Sequence, residues 1–167
     1  MLIRPEKPKD YAAIYNVNAL AFTTPAEANL VEVLRSEAHP IISLVAHDGE
    51  AIVGHVLFSP VSLTGHPELK IMGLGPVAVV PEHQHKGIGA GLIKSGLEKC
   101  KSLGFAAVVV LGHPAYYPRF GFLPSVRFGI RSEYDVPEDV FMVMELQPRY
   151  LEGATGVIRY HPAFNDV

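Results

Sequence analysis

The stretch from 74 to 111 constrains this chain more than any other, because a strand, a glycine-bearing loop, a helix and a second strand follow one another there without a gap. Leu74-Gly75-Pro76-Val77-Ala78-Val79-Val80 is a short β-branched run closed by Pro81, which has no N–H to give a sheet ladder, so a strand ends there. Beyond Glu82-His83-Gln84-His85-Lys86-Gly87-Ile88-Gly89-Ala90-Gly91, apolar residues recur at helical spacing: Ile88, Leu92, Ile93, Leu97, Cys100 and Leu103. Lys94, Glu98, Lys99 and Lys101 take the opposite face, and Gly104 stands where a helix is closed by glycine. Phe105 to Leu111 is apolar on both faces, as a buried parallel strand is. The crossover between the two strands is expected to be right-handed.

The loop carries the chemistry. Several backbone N–H groups, unscreened at two glycines, open a helix between Gln84 and Ala90. Orphan amides at the positive end of a helix bind phosphate. Two nucleotide motifs fail on the letters. A P-loop needs Gly before Lys-[Ser/Thr], but Lys94-Ser95 follows Ile93. A dinucleotide fingerprint counted from Gly87 and Gly89 reaches Leu92 instead of glycine.

The fuller string Gln84-x-x-Gly87-x-Gly89, directly after a strand ending in Val-Pro, resembles the acetyl-CoA pyrophosphate loop of the GCN5-related N-acetyltransferases. A second segment, Ala115-Tyr116-Tyr117-Pro118-Arg119-Phe120-Gly121-Phe122, resembles that family's aromatic-Tyr-x-basic-x-Gly-Phe segment. Two motifs in order, separated by one helix and one strand, are far more specific than either alone. The resemblance implies an α/β fold with a central, splayed, mixed β-sheet flanked by helices. It also implies acetyl-CoA as the acetyl donor and direct transfer to a primary amine in a ternary complex. Gln84, His85, Lys86, Gly87, Gly89 and Ala90 would then hold the pyrophosphate, with Val77, Ala78 and Val79 beside the pantetheine arm and an amide near Val79 polarising the thioester carbonyl. Tyr117 would be the general acid toward the departing thiolate, and Tyr116 would pack the other way. Many relatives carry an asparagine and a full helix ahead of the tyrosine, whereas Gly112-His113-Pro114-Ala115 is compressed here, so His113 either reaches the donor or caps the loop.

No carboxylate lies between Ile71 and Val80, so a base from that strand is unavailable. Glu27 is the remaining candidate, because it opens a helix in the region that shapes the acceptor pocket in the resembling family. It also completes a capping box, with Thr24 as N-cap and Pro25 in the first helical position.

The other elements surround this unit. Leu2-Ile3-Arg4 reads as a first strand, and Pro8 starts a helix with Tyr11, Ile14, Val17 and Ala21 on one face. In the next helix Leu30, Val31 and Leu34 face inward. Ile41 to His47 and Ala51 to Phe58 flank Asp48-Gly49, a hairpin signal, and Gly65-His66-Pro67 breaks the next segment from Lys70-Ile71-Met72. Val140 to Leu146 and Gly156 to Tyr160 read as further strands. At 167 residues the chain is expected to be one domain, with a core over about 2–146 and an extension over about 147–167. The N-terminus shows no signal-peptide pattern and no apolar run has the length of a membrane span, so a cytoplasmic protein with no membrane partner is expected. A net charge of −3 without a basic cluster argues against nucleic acid. His83-x-His85 with Glu82 lacks further ligands at zinc-site spacing, so no metal is expected, and the lone Cys100 reads as a buried apolar residue. No Gly-x-Ser-x-Gly or similar nucleophile motif is present, in keeping with direct transfer. The acceptor is open among small-molecule amines and protein or peptide amines, and assembly is open to a homodimer. A CoA-binding sensor or interaction protein that keeps the loop without turnover is the alternative.

Overall fold

A computed structural model describes residues 1–167, which form two compact units. The first comprises Met1–Ser59, Gly75–Lys99 and Pro162–Val167. In it β1 (Leu2–Pro5) pairs antiparallel with β2 (Ile42–Asp48), and β2 forms a hairpin with β3 (Ala51–Leu63). The turn falls at Gly49 (φ +64°), as Asp48-Gly49 predicts.

β3 alternates so that each of its faces receives a different layer. Leu57 joins Ile14 of α1 (Tyr11–Phe22) and Leu30, Val31 and Leu34 of α2 (Ala26–Glu37) in one core cluster. On the opposite face, α3 (Ile88–Ser102) comes so close that a Cβ added at Gly54 would lie 3.0 Å from both Ile88 and Leu92. A Cβ at Gly96 would lie 2.1 Å from the Phe58 ring. Helices therefore cover β3 on both sides, as in a layered α/β unit.

Between β3 and α1 lies a buried polar network. Arg35 donates to both carboxylate oxygens of Glu6 (2.8 and 3.0 Å), and the Ser43 hydroxyl donates to the same carboxylate. Since the Ser43 proton is committed there, Ser43 Oγ accepts from His55 Nε2 at 2.8 Å, and His55 Nδ1 accepts from Asn18 Nδ2 at 3.1 Å. His55 and Asn18 are completely buried. Burial pushes the His55 pKa down to about 3, so its ring is neutral.

The second unit comprises Pro60–Leu74 and Cys100–His161. Here β4 (His66–Val79) runs parallel to β5 (Ala107–Leu111), from Ile71↔Ala107 to Leu74↔Val110, and the pairing stops there although β4 continues to Val79. β6 (Leu123–Pro124) pairs with β8 (Phe141–Glu145), which is antiparallel to β5. β7 (Ile130–Ser132) lies parallel to β9 (Gly156–Arg159), and β9 runs antiparallel to β3. The pairing is thus mixed, as the antiparallel strands followed by a parallel unit predict. Val61, Leu63, Ile71, Val109, Phe141, Val143 and Ile158 fill its core. No helix is long and apolar enough to cross a membrane.

Four details differ from the sequence expectation. β4 is continuous from His66, so Pro67 lies inside the strand and does not break it. Leu103 follows the end of α3 and is 47% exposed, because the chain turns at Gly104 (φ +88°) and the Phe105 N–H returns to the Cys100 carbonyl at 3.0 Å. α2 starts at Ala26 with no side-chain cap, so the capping box at Thr24 does not form. β6 and β7 were not expected, since two or three residues carry no readable period.

Candidate active site

In the first unit β4 ends at Val79, and the next residue ties back to the hairpin through Val80 N–H to Val53 O at 2.9 Å. Pro81–His83 form one 3₁₀ turn, which Gln84 closes by donating its N–H to Pro81 O (3.3 Å). The Gln84 side chain folds backward, and its Nε2 donates to the Val79 carbonyl at 2.9 Å. Gln84 therefore braces the loop against the strand end. A second brace comes from outside the motif, where His83 Nε2 meets Asp48 Oδ2 of the β2–β3 turn at 3.0 Å. The histidine pair is thus divided between an anchor, His83, and an exposed loop residue, His85.

Past Gln84 the backbone turns left-handed at His85 (φ +63°) and again at Gly87 (φ +85°). A glycine serves best at the second of these, since a side chain there would be strained whatever the space. The first helical bond is Gly91 N–H to Gly87 O at 3.0 Å. The N–H groups from His85 to Ala90 have no backbone acceptor and lie at or before the first turn of a 15-residue helix. Exposed Lys86 stands beside them at the start of α3, where free N–H groups and the positive end of the helix dipole favour negative charge. Val77 and Val79 are half-buried and Ala78 is buried, the alternation of a strand. The first unit thus brings Val77, Ala78, Val79, Gln84, His85, Lys86, Gly87, Gly89 and Ala90 into one contiguous strand end and loop.

Glu27 belongs to the same unit but to another place in it. Its carboxylate accepts from Thr24 Oγ1 at 3.3 Å and makes no bond to the loop.

In the second unit Tyr117 begins a 3₁₀ turn, Tyr117–Phe120, and its N–H donates to His113 O (3.3 Å). His113 Nδ1 accepts from Ala115 N–H at 3.2 Å, within its own loop. The Tyr117 ring rests on Gly112, where a Cβ would lie 2.2 Å from the ring. It stands edge-on to Phe122 and Tyr116, with centroids 5.9 and 5.1 Å away. Tyr116 packs as expected, taking the Arg119 guanidinium over its ring at 4.3 Å. Burial, with a smaller contribution from Tyr116, pushes the Tyr117 phenol up to about 12, so it keeps its proton at neutral pH. No protein group bonds to its hydroxyl. Cys100 is buried and its thiol pushed up to about 12 by desolvation, which makes it a poor nucleophile.

Sequence reasoning missed two supports, Asp48 as the anchor of His83 and Gly112 as the seat of Tyr117. The Asp48 role had no signal in the chain. Gly112 had one, a glycine five residues before the motif tyrosine.

The family model described as an acetyltransferase (GNAT) domain matches residues 2–124. The N-acetyltransferase YhbS of Escherichia coli is 39% identical over 166 residues, covering 99% of each chain. The crystal structure of YhbS from Escherichia coli in complex with CoA superposes with a TM-score of 0.92 at 38% identity, over 98% of this chain and 91% of that one. A GNAT family acetyltransferase from Brucella melitensis in complex with acetyl-CoA superposes with a TM-score of 0.81 at 35% identity, over 98% and 97%.

Proposed function

The chain belongs to the GNAT acetyltransferase family, and from that premise we propose that its 167 residues act as one domain that binds acetyl-CoA and passes the acetyl group directly to a primary amine. The observation that carries the reading is the row of unpartnered amides from His85 to Ala90 at the start of α3. They suit the pyrophosphate of CoA, and the relatives whose structures contain CoA or acetyl-CoA support the choice.

Donor and acceptor are held together, which converts a bimolecular step into an intramolecular one. The backbone of Val77–Val79 lies along the pantetheine arm, and an amide near Val79 takes the charge that develops on the thioester oxygen. The amine nitrogen, as free base, attacks the acetyl carbon. A C–N bond forms, the C–S bond breaks, and the thiolate takes the Tyr117 proton. The proton lost by the amine leaves through Glu27 or water.

Acetyl-CoA at about 100 times its Kd is expected to stabilise the folded chain by about 2.7 kcal/mol, a rise in Tm of roughly 5–11 °C for a chain of this size. ATP and NAD are expected to do much less. Gly89→Val removes the response, because a branched side chain occupies the space the pyrophosphate needs. An equal shift with NAD, or a full shift in the variant, rejects the donor assignment.

Glu27 is tested separately. Its bond to Thr24 is an exposed contact between side chains, so Glu27→Gln and Glu27→Ala should each fold within about 1 kcal/mol of the parent. If Glu27 takes the amine proton, both lose kcat/KM and the acidic limb of the pH–rate profile changes. Parental kinetics across pH in Glu27→Gln leave water as the base.

A further inference from the structure

Residue 112 stands where β5 hands the chain to the tyrosine turn, and it is a glycine for a reason outside its own backbone. Its φ falls outside the left-handed region, so any L-residue could adopt this conformation. Space excludes a side chain here. A Cβ at Gly112 would lie 2.2 Å from Cε2 of Tyr117, 2.7 Å from Cδ2 and 3.1 Å from Cζ, whereas ordinary contact begins at 3.4 Å. Cζ carries the phenol oxygen, so Gly112 lies against the hydroxyl-bearing end of the ring.

Neither partner gives way freely. The Gly112 N–H donates to Val140 O at 2.9 Å, one step beyond the Leu111↔Phe141 pair, which extends the β5–β8 ladder and pins the backbone. The Tyr117 ring meets Phe122, Tyr116 and Phe120 at centroid distances of 5.9, 5.1 and 6.2 Å. Phe122 is 1% exposed, and a close-packed neighbour of that kind does not move aside cheaply. A methyl group at 112 therefore drives the ring off its seat by about 1 Å or more and swings the hydroxyl with it. Gly112-His113-Pro114-Ala115 contains no helix, so contact with Gly112 supplies placement that a longer element would otherwise give.

A phenol passes its proton to a departing thiolate only when the oxygen lies within hydrogen-bond reach of the sulfur. A misplacement of about 1 Å can cost on the order of 10²-fold in rate. We propose that Gly112 is a positioning residue for the acid step, the seat that fixes the Tyr117 hydroxyl toward the leaving sulfur, an inference that rests on the general-acid reading of Tyr117 above.

The test is a double-mutant cycle on the full chain, with acetyl-CoA as donor, n-butylamine as the amine probe and release of free CoA as the readout. Gly112→Ala is expected to lower kcat on the order of 10²-fold, with KM for both substrates within about threefold and the acetyl-CoA rise in Tm retained. In the Tyr117→Phe background the same substitution is expected to change kcat by less than about twofold, because no hydroxyl is left to misplace. A residue that only supports the fold would cost the same in both backgrounds. Should Gly112→Ala not fold, Phe122→Leu, which loosens the ring from another side, takes its place in the cycle. Its expected loss is about tenfold, again only where the Tyr117 hydroxyl is present. Parental kcat in the tested variant, or an equal loss in both backgrounds, overturns the proposal and leaves Tyr117 as the acid. Parental kcat in Tyr117→Phe refutes the acid reading itself, and absence of CoA release by the parent refutes acetyl transfer. Either result takes the proposal with it.

Discussion

Tyr117→Phe is expected to lower kcat by about 10²–10⁴-fold while the stabilisation by acetyl-CoA stays close to the parent's. The substitution removes one oxygen and leaves the ring on Gly112 and against Phe122, so stability should hardly change. A phenol held near pKa 12 is a proton donor at every pH at which the enzyme is assayed, and a thiolate leaving carbon is the group that needs that proton. Tyr117 should therefore impose no basic limb on the rate below about pH 10, whereas a cysteine or histidine acid would. The measurement is steady-state turnover of an amine acceptor, followed by release of free CoA, for parent and variant between pH 6 and 10. Parental turnover in the variant reduces Tyr117 to a packing residue.

Acidification is expected to destabilise the fold well before its carboxylates are neutralised, and His55 is the reason. Its pKa is about 3 when folded, against the ordinary 6.5 of the unfolded chain, so the unfolded state takes up the proton first. Stability from this group is complete above pH 6.5 and is lost as pH falls from there toward 3. One proton is linked at 1.36 kcal/mol per pH unit, so the loss between pH 8 and 5 is about 2 kcal/mol. The groups around His55 do not rescue the charged ring. Burial dominates, Glu6 favours the cation, and the Arg35 guanidinium bound to Glu6 opposes it. Denaturant unfolding of the parent and of His55→Gln at pH 8 and pH 5 separates this from other titrations. The parent should lose about 2 kcal/mol more than the variant over that interval, whatever the variant's own stability. Equal losses would remove His55 from the account.

Asp10 adds a second, lower step. The Arg4 guanidinium, bonded to it at 2.7 and 3.0 Å, and the Lys7 N–H hold its pKa near 2. Its contribution is present above the ordinary carboxylate value of 3.8 and disappears as pH falls toward 2.

The two steps come from residues with very different sequence separations, and that difference separates what could be read in advance from what could not. The strand closed by Pro81, the loop with Gly87 and Gly89, the period of Ile88, Leu92 and Leu97, and the Asp48-Gly49 turn are local signals. Each is set by residues within about a helical turn or a hairpin, so a chain read in order reveals them. The loop amides followed for the same reason, because a glycine-rich helix start leaves its N–H groups unpaired in any surroundings.

Partner choice by side chains was not legible. Gln84 could be assigned to the loop from its letters, but only the fold shows its amide spent on the Val79 carbonyl. His55 lies within the apolar run Ile52 to Phe58 with no local sign of the Ser43, Glu6 and Asn18 groups that surround it, the last 37 residues away. Asp48 reads only as a turn residue. Thr24-Pro25-Ala26-Glu27 shows the reverse, a local pattern that the fold declined by starting α2 one residue later. The chain by itself determined the elements and the unpaired amides of the loop, because propensity, capping chemistry and glycine conformation act over a few residues. Which buried polar atoms meet was decided only when packing brought distant residues within hydrogen-bond reach, since a bond of about 3 Å depends on three-dimensional distance and not on spacing in the chain.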